Sequence, residues 1–189
     1  MGQGGIEAIA PRVEGSVGVG DGRRLGFAEF GDASMVQQPY ALLMGEPAIA
    51  IGSDTLISPG ATLAASPGFD WTPSDGPMIR IGSRVWAARG LTVIAHRSIE
   101  IGDDVWTGHN VHITDMNHDY TDVDLPISVQ NQPERPVRIG SGSWLGQLDA
   151  GQFDWFVDGS CGDQALAEIR LDIDNPLIGF QPIGSMIAP

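Results

Sequence analysis

The chain of 189 residues is long enough for one domain with a core, and its 26 glycines and 13 prolines favour a turn-rich β architecture. Its formal net charge of −14 argues against nucleic acid as a partner, because so acidic a surface repels a phosphate backbone. No apolar stretch approaches the length of a membrane span and no charged-then-apolar leader opens the chain, so we expect no membrane partner and a cytoplasmic location.

In chain order, residues 1–45 form an irregular N-terminal segment, in which Val19-Gly20 indicates at most a ragged first coil. Residues 46–146 then carry small or branched apolar residues at every sixth position. This spacing is typical of hexapeptide repeats wound into a parallel β-helix, an all-β fold with three short strands in each coil. The pattern is clearest in two runs separated by a two-residue slip: Ile81, Ala87, Val93 and Ile99, then Ile101, Thr107 and Ile113.

Four Ile-Gly pairs mark the starts of coils, and the glycine in each pair suits a corner because it tolerates positive φ. The pairs are further apart than the three hexads of an ideal coil, so we place excursions at 69–77, at the 99–100 step and at 116–136. The pairs are Ile51-Gly52, Ile81-Gly82, Ile101-Gly102 and Ile139-Gly140.

The first and fifth residues of each hexad are expected to point into the prism, with large residues facing smaller ones. These inward pairs are Ile51/Thr55, Ile57/Ala61, Ile81/Val85, Ala87/Leu91, Ile101/Val105 and Thr107/Val111.

The longest excursion contains the residues best suited to proton transfer. His118 lies in it, and an imidazole with an unperturbed pKa of about 6.5 can accept a proton near neutral pH. Four acids surround this histidine in the sequence, and they could either orient the ring or favour its protonated form. They are Asp115, Asp119, Asp122 and Asp124.

The Ile101-Gly102-Asp103 coil opening, followed after its second hexad by the loop with His118, resembles the hexapeptide-repeat acyltransferases, which include the galactoside and maltose O-acetyltransferases. The resemblance covers about residues 51–146. It implies a left-handed parallel β-helix that transfers an acetyl or other acyl group from coenzyme A to a hydroxyl of a sugar-like acceptor. It implies His118 as the general base, and a homotrimer with the acyl donor between neighbouring subunits.

The same resemblance suggests which residues contact the two substrates. Acetyl-CoA or another acyl-CoA is expected as co-substrate, and the residues expected to bind it are Gly108, Asn110, Trp144 and Gly146. The residues expected to bind the acceptor are Asp115, Asn117, Asp119, Tyr120 and Arg89. Ala88 stands where the galactoside enzymes have a substrate-binding asparagine, so the acceptor is expected to be held differently.

Trp86, Trp106 and Trp144 occupy equivalent places in successive coils, which predicts an outward ladder of indole rings. Such a ladder either supports neighbouring coils or subunits, or forms a wall for the acyl donor.

A metal site is a lesser alternative. Gly108-His109-Asn110-Val111-His112 superficially resembles a motif of the γ-class carbonic anhydrases, a β-helix family of zinc enzymes, but its two histidines are three residues apart instead of five. Because catalytic zinc needs three converging protein ligands, we expect no metal.

The regular hexads end at Gly146, and 147–189 form a divergent or replaced C-terminal tail. Extending the register would point Asp149, Trp155 and Asp163 inward, and an unpaired buried carboxylate costs several kcal/mol. The regular register is therefore expected to stop. Members of the family continue with further coils that help to bind coenzyme A, so the main alternative to an enzyme is an inactive or structural β-helix.

Overall fold

Short strands separated by tight corners follow from the hexads, since each hexad contributes two to four extended residues before its next turn. The structure is a computed structural model and describes residues 14–18, 20–66, 71–146 and the strand at 156–157. Its strands stack into three parallel sheets, and each coil gives one strand to each sheet.

The first sheet contains β1 (Glu29–Phe30), β4 (Ile49–Ile51), β7 (Ile79–Ile81), β10 (Ile99–Ile101) and β13 (Val137–Ile139). The second contains β2 (Met35–Val36), β5 (Leu56–Ile57), β8 (Trp86–Ala87), β11 (Trp106–Thr107) and β14 (Trp144–Leu145). The third contains β3 (Leu42–Met44), β6 (Thr62–Ala65), β9 (Thr92–Ala95), β12 (His112–Thr114) and β15 (Phe156–Val157). Short 3₁₀ helices lie at Gly22–Gly26, Glu46–Ala48, Pro73–Asp75 and Ile127–Val129.

The core is a column of apolar side chains enclosed by the three sheets. All twelve residues of the predicted inward pairs are buried. The buried Thr55 hydroxyl donates to the Gly82 carbonyl at 2.8 Å and accepts the Val85 N–H at 3.2 Å, so this polar atom is satisfied inside the column. The hexad pattern therefore gives the correct interior residues.

The glycines at the second hexad position serve a different purpose from the one predicted. Positive φ occurs two residues later, at Asp54, Arg84 and Asp104, whereas Gly52 and Gly82 do not have it. A Cβ added to either glycine would lie 2.6 Å from a backbone atom of the next coil. Glycine is required here because adjacent coils approach too closely for a side chain.

The two-residue slip lies at 96–98 and not at 99–100 as predicted. Ile99–Ile101 is an unbroken strand that pairs in register with Ile79–Ile81, so the extra residues must lie in the preceding turn. The two longer excursions separate Ala65 from Ile79 and Thr114 from Val137, close to the predicted positions.

A complete coil also precedes the predicted start of the repeat, because β1, β2 and β3 pair with β4, β5 and β6. The pattern is weak in this coil because Leu43 follows Val36 by seven positions instead of six, and because Ser34 occupies an inward fifth position. The Ser34 hydroxyl donates to the Gly52 carbonyl and accepts the Thr55 N–H, which compensates for its burial. Gly20 lies in a turn before this coil, and Val19 lies outside the described residues.

The repeat also extends beyond Gly146, since β15 pairs in parallel with β12. Twelve residues separate Leu145 from Val157, whereas six separate the equivalent Thr107 and Ile113, so the regular register does stop before the third sheet resumes. Asp149, Trp155 and Asp163, which an unbroken register would bury, lie outside the described residues. Within the described part of the chain, no helix is long and apolar enough to cross a membrane.

The close approach of coils predicts that Gly82→Ala destabilises the fold. The new Cβ would lie 2.6 Å from the Gly102 carbonyl carbon, and overpacking of this kind costs about 1–3 kcal/mol of unfolding free energy. Denaturant titration measures the loss. Gly22→Ala is the control, since no atom lies within 4 Å of its added Cβ; equal stability of the two variants would refute the packing explanation.

Candidate functional site

The excursion after β12 folds back on itself as an antiparallel ribbon. The Asn117 N–H donates to the Pro133 carbonyl at 3.3 Å and the Asp119 N–H to the Asn131 carbonyl at 2.8 Å. A bridge between Met116 and Glu134 belongs to the same register. This pairing places residues 115–119 beside residues 131–135.

His118 lies on this ribbon with its ring half-buried, and its Nδ1 is 3.2 Å from Nε2 of Gln132. The pairing register sets the two residues directly opposite each other, so their side chains lie on the same face. Gln132 was not predicted, because pairing inside an excursion leaves no periodic signal in the sequence.

Asp115 anchors the base of the ribbon to the preceding coil. Its buried carboxylate accepts three backbone N–H groups, from His96 at 2.8 Å, Arg97 at 2.6 Å and Ser98 at 2.7 Å. The two-residue slip at 96–98 therefore forms a turn whose amides bind this carboxylate. Both oxygens are used in this way, so Asp115 has a structural role, and its expected contact with the acceptor stays a prediction.

Two of the other acids near His118 also have partners elsewhere. Asp119 accepts the Thr121 N–H at 3.0 Å, and the backbone and hydroxyl of Thr121 hold the pKa of the Asp119 carboxyl below its usual range. Asp122 accepts the Asp124 N–H at 3.0 Å. Gln132, and none of the acids suggested by the sequence, is the side chain within hydrogen-bond distance of the His118 ring in the described residues.

Of the remaining residues expected to contact the acceptor, Asn117 and Tyr120 lie on the ribbon, whereas Arg89 lies at another corner of the prism. The Asn117 Oδ1 accepts the His118 N–H at 2.8 Å, which fixes the backbone at the histidine. The Tyr120 side chain is exposed beyond Asp119. Arg89 is exposed at the corner between the second and third sheets, and so belongs to a different cluster.

The second cluster is the predicted ladder of tryptophans on the outer face of the second sheet. Trp86, Trp106 and Trp144 pair in register, and the first two rings lie 4.9 Å apart between centroids at 59°. Their exposed fractions rise from 39% through 49% to 62% along the ladder, so the rings present an aromatic surface to solvent.

A cleft of about 340 Å³ runs along this ladder. Its lining is Ser58, Trp86, Ala88, Arg89, Trp106, Thr107, His109 and Trp144, in which three tryptophans lie beside one arginine and one histidine. Trp144, which was expected to contact the cofactor, therefore lies in a cleft together with Arg89, which was expected to contact the acceptor.

The other expected cofactor residues lie beside this cleft in the coil wall. Gly108 is buried and donates its N–H to the Leu145 carbonyl at 2.7 Å, and Gly146 holds the equivalent place one coil later. Asn110 adopts a positive φ of 56°, and its Oδ1 lies where a Cβ on Gly90 would be. The Asn110 side chain thus stacks on the corner of the preceding coil.

The two clusters occupy different corners of the prism. The ribbon with His118 leaves the corner between the third and first sheets, and the cleft borders the corner between the second and third. Across the described ranges, no three metal-binding side chains converge into a group that could hold an ion. At the ribbon, His96 Nδ1 lies 3.8 Å from the Oε1 of Glu134.

The anchoring role of Asp115 predicts a large loss of stability in Asp115→Ala. Removal of the buried carboxylate leaves three partly buried amides without their acceptor, and the loss of one buried partner alone costs about 1–3 kcal/mol. Thermal and denaturant unfolding measure the effect, with the exposed Asp124→Ala as control. If Asp115→Ala were as stable as this control, the anchor would not be needed.

No family model matches the chain. A stretch of 68 residues, 36% of the chain, is 37% identical to a probable acetyltransferase of Mycobacterium tuberculosis and spans 23% of that relative's length. Among solved structures, the chain is similar to AntD, an N-acyltransferase from Bacillus cereus crystallised with dTDP and 3-hydroxybutyryl-CoA. That alignment covers 72% of this chain and 81% of AntD at 14% identity, with a TM-score of 0.52. The fold is a left-handed parallel β-helix, and the chain resembles the hexapeptide-repeat acyltransferases.

Proposed function

We propose that this protein is a coenzyme A-dependent acyltransferase that moves an acetyl or other acyl group to a hydroxyl of a small, sugar-like acceptor. The observation that carries the proposal is His118, a solvent-reachable histidine held by a single neutral amide on a loop of this β-helix. The similarity to a probable acetyltransferase supports the same class of reaction.

The tryptophan cleft is the proposed site for the acyl donor. Coenzyme A combines an aromatic base with phosphate groups, and the cleft offers indole rings next to the exposed Arg89 guanidinium. The positive charge of Arg89 is important for binding the phosphates of coenzyme A, because the chain has a net charge of −14 and so acidic a protein repels a polyanion. Gly108, Asn110 and Gly146 form the adjoining coil wall in this proposal.

In the proposed reaction, a ring nitrogen of His118 removes the proton from the acceptor hydroxyl as its oxygen attacks the thioester carbonyl carbon. The carbon–sulfur bond then breaks, and the leaving thiolate takes the proton from the imidazolium to give free coenzyme A. The ester product and the neutral histidine remain. Tyr120 borders the proposed acceptor position on the same face of the ribbon as His118, whereas Asn117 and Asp119 lie on the opposite face.

A homotrimer would bring the two clusters together. Because the ribbon and the cleft border different corners of one prism, side-by-side packing can set the His118 ribbon of one subunit beside the tryptophan cleft of the next. We propose this assembly and place the active site between subunits. A structural β-helix without transferase activity is the outcome to be distinguished from it.

Titration calorimetry with acetyl-CoA tests the donor site, after light scattering has fixed the oligomeric state. We expect saturable binding near one site per chain in a trimer. Trp106→Ala should weaken this binding by roughly tenfold, or about 1.4 kcal/mol, because it removes the middle ring of the ladder. Leu25→Ala, which removes an exposed apolar side chain elsewhere, is the matched control. Absence of binding by the folded protein would contradict the proposal.

Replacement of the proposed base tests the chemistry separately from binding. His118→Ala should lose acyl transfer to hydroxyl acceptors by at least about a hundredfold, the smaller end of general-base contributions, while it keeps its affinity for acetyl-CoA. Release of the coenzyme A thiol, followed with a thiol reagent over a panel of sugars and amino sugars, measures the rate. Unchanged transfer by His118→Ala would remove this residue from the mechanism.

A further inference from the structure

The hydrogen-bonding pattern of the ribbon places the side chains of His118 and Gln132 directly opposite each other. The pairs on either side of them, Asn117 with Pro133 and Asp119 with Asn131, carry the backbone hydrogen bonds. His118 and Gln132 thus form a non-hydrogen-bonded pair, the kind in which opposed side chains come closest in an antiparallel ladder. Their contact of 3.2 Å is a consequence of this register.

This contact matters because a neutral imidazole carries its proton on only one of its two nitrogens. In this structure the Gln132 Nε2 faces Nδ1, and an amide that donates to Nδ1 leaves the proton on the Nε2 of the ring, which then cannot act as a base. If the carboxamide turns over so that Oε1 faces Nδ1, Nδ1 keeps its proton and Nε2 is free to accept another. The same oxygen then stabilises the imidazolium that forms during the reaction.

We propose that Gln132 is a positioning residue that holds His118 through Nδ1, with the amide oxygen toward the ring in the active form, so that Nε2 is the basic atom. The inference rests on the proposed role of His118 as general base and adds the residue that selects its tautomer. Gln132 acts through the histidine and touches neither the acyl donor nor the acceptor.

The charged groups around the pair contact other partners, so the Gln132 amide is the group that orients the His118 ring. On the same face of the ribbon, Glu134 lies next along and is 3.8 Å from His96 Nδ1. The Asp119 carboxylate faces the Thr121 amide, and the Asp115 carboxylate is buried against the amides of the 96–98 turn. A neutral partner orients the imidazole without adding a second charge to it.

Two variants of Gln132 separate orientation from structural support. Gln132→Ala removes the partner and should lower kcat by roughly tenfold or more, the equivalent of one hydrogen bond to a charged group, with KM for acetyl-CoA unchanged. Gln132→Glu supplies an oxygen that can only accept, so it should retain activity at high pH. Its carboxylate also favours the imidazolium, so the acid limb of the pH–rate profile should move to higher pH.

Nitrogen-15 NMR of histidine-labelled protein gives a readout that does not depend on activity. We expect the wild-type and Gln132→Glu signals to show the form protonated on Nδ1 and the Gln132→Ala signals to show a mixture, and a wild-type ring protonated mainly on Nε2 would contradict the proposal. Asn131→Ala is the matched control, because this neighbouring amide lies on the opposite face of the ribbon and should leave the His118 signals unchanged.

The inference is overturned if Gln132→Ala and Gln132→Glu both leave the His118 signals and the pH–rate profile as in the wild type. A wild-type protein without transferase activity would instead refute the proposed function, and the NMR signals would still report whether Gln132 selects the tautomer.

Discussion

The structure depends on how closely successive coils stack. Parallel strands hydrogen-bond at about 4.8 Å, so every coil must repeat the path of the one before it with little room at the corners. Gly52, Gly82 and Gly102 meet this constraint by having no side chain where the next backbone passes. The same stacking turns one residue of each hexad into a column, which is why valines and isoleucines line the interior and tryptophans form a ladder outside.

Stacking also decides where the chain can carry extra residues. In the described coils up to β13, the connections from the third sheet to the first are longer than in an ideal coil, over 45–48, 66–78, 96–98 and 115–136, and one extra residue lies between β2 and β3. The connections from the first sheet to the second keep one length throughout, so the spacing of the tryptophans stays regular. Most extra residues therefore lie at one corner, while another corner repeats unchanged. The short 96–98 insertion supports the longest one, since its amides bind the carboxylate of Asp115 at the base of the ribbon.

The hexad pattern was enough to predict the fold, the inward residues and the ladder, because each of these follows from a fixed spacing along the chain. The pattern did not predict features that depend on a local interaction instead of on a fixed spacing. Ser34 breaks the apolar pattern and one extra residue lies between β2 and β3, so the first coil was expected to be ragged at most. Within the candidate site, the sequence suggests His118 but gives no sign of its contact with Gln132, since the two meet only through a ribbon whose register follows no periodicity. The burial of Asp115 against three amides likewise follows from the fold and not from the sequence pattern.

We propose that a histidine on the excursion and a tryptophan wall on the coil serve one reaction. A crystal structure of the protein in complex with coenzyme A is the decisive test, because it locates the sulfur atom. We expect the adenine or pantetheine portion to lie against Trp106 and Trp144, and the sulfur to lie within reach of a group hydrogen-bonded to His118 Nε2 of the same or a neighbouring subunit. Coenzyme A bound away from the tryptophans, or with its sulfur remote from every His118 in the assembly, would contradict it.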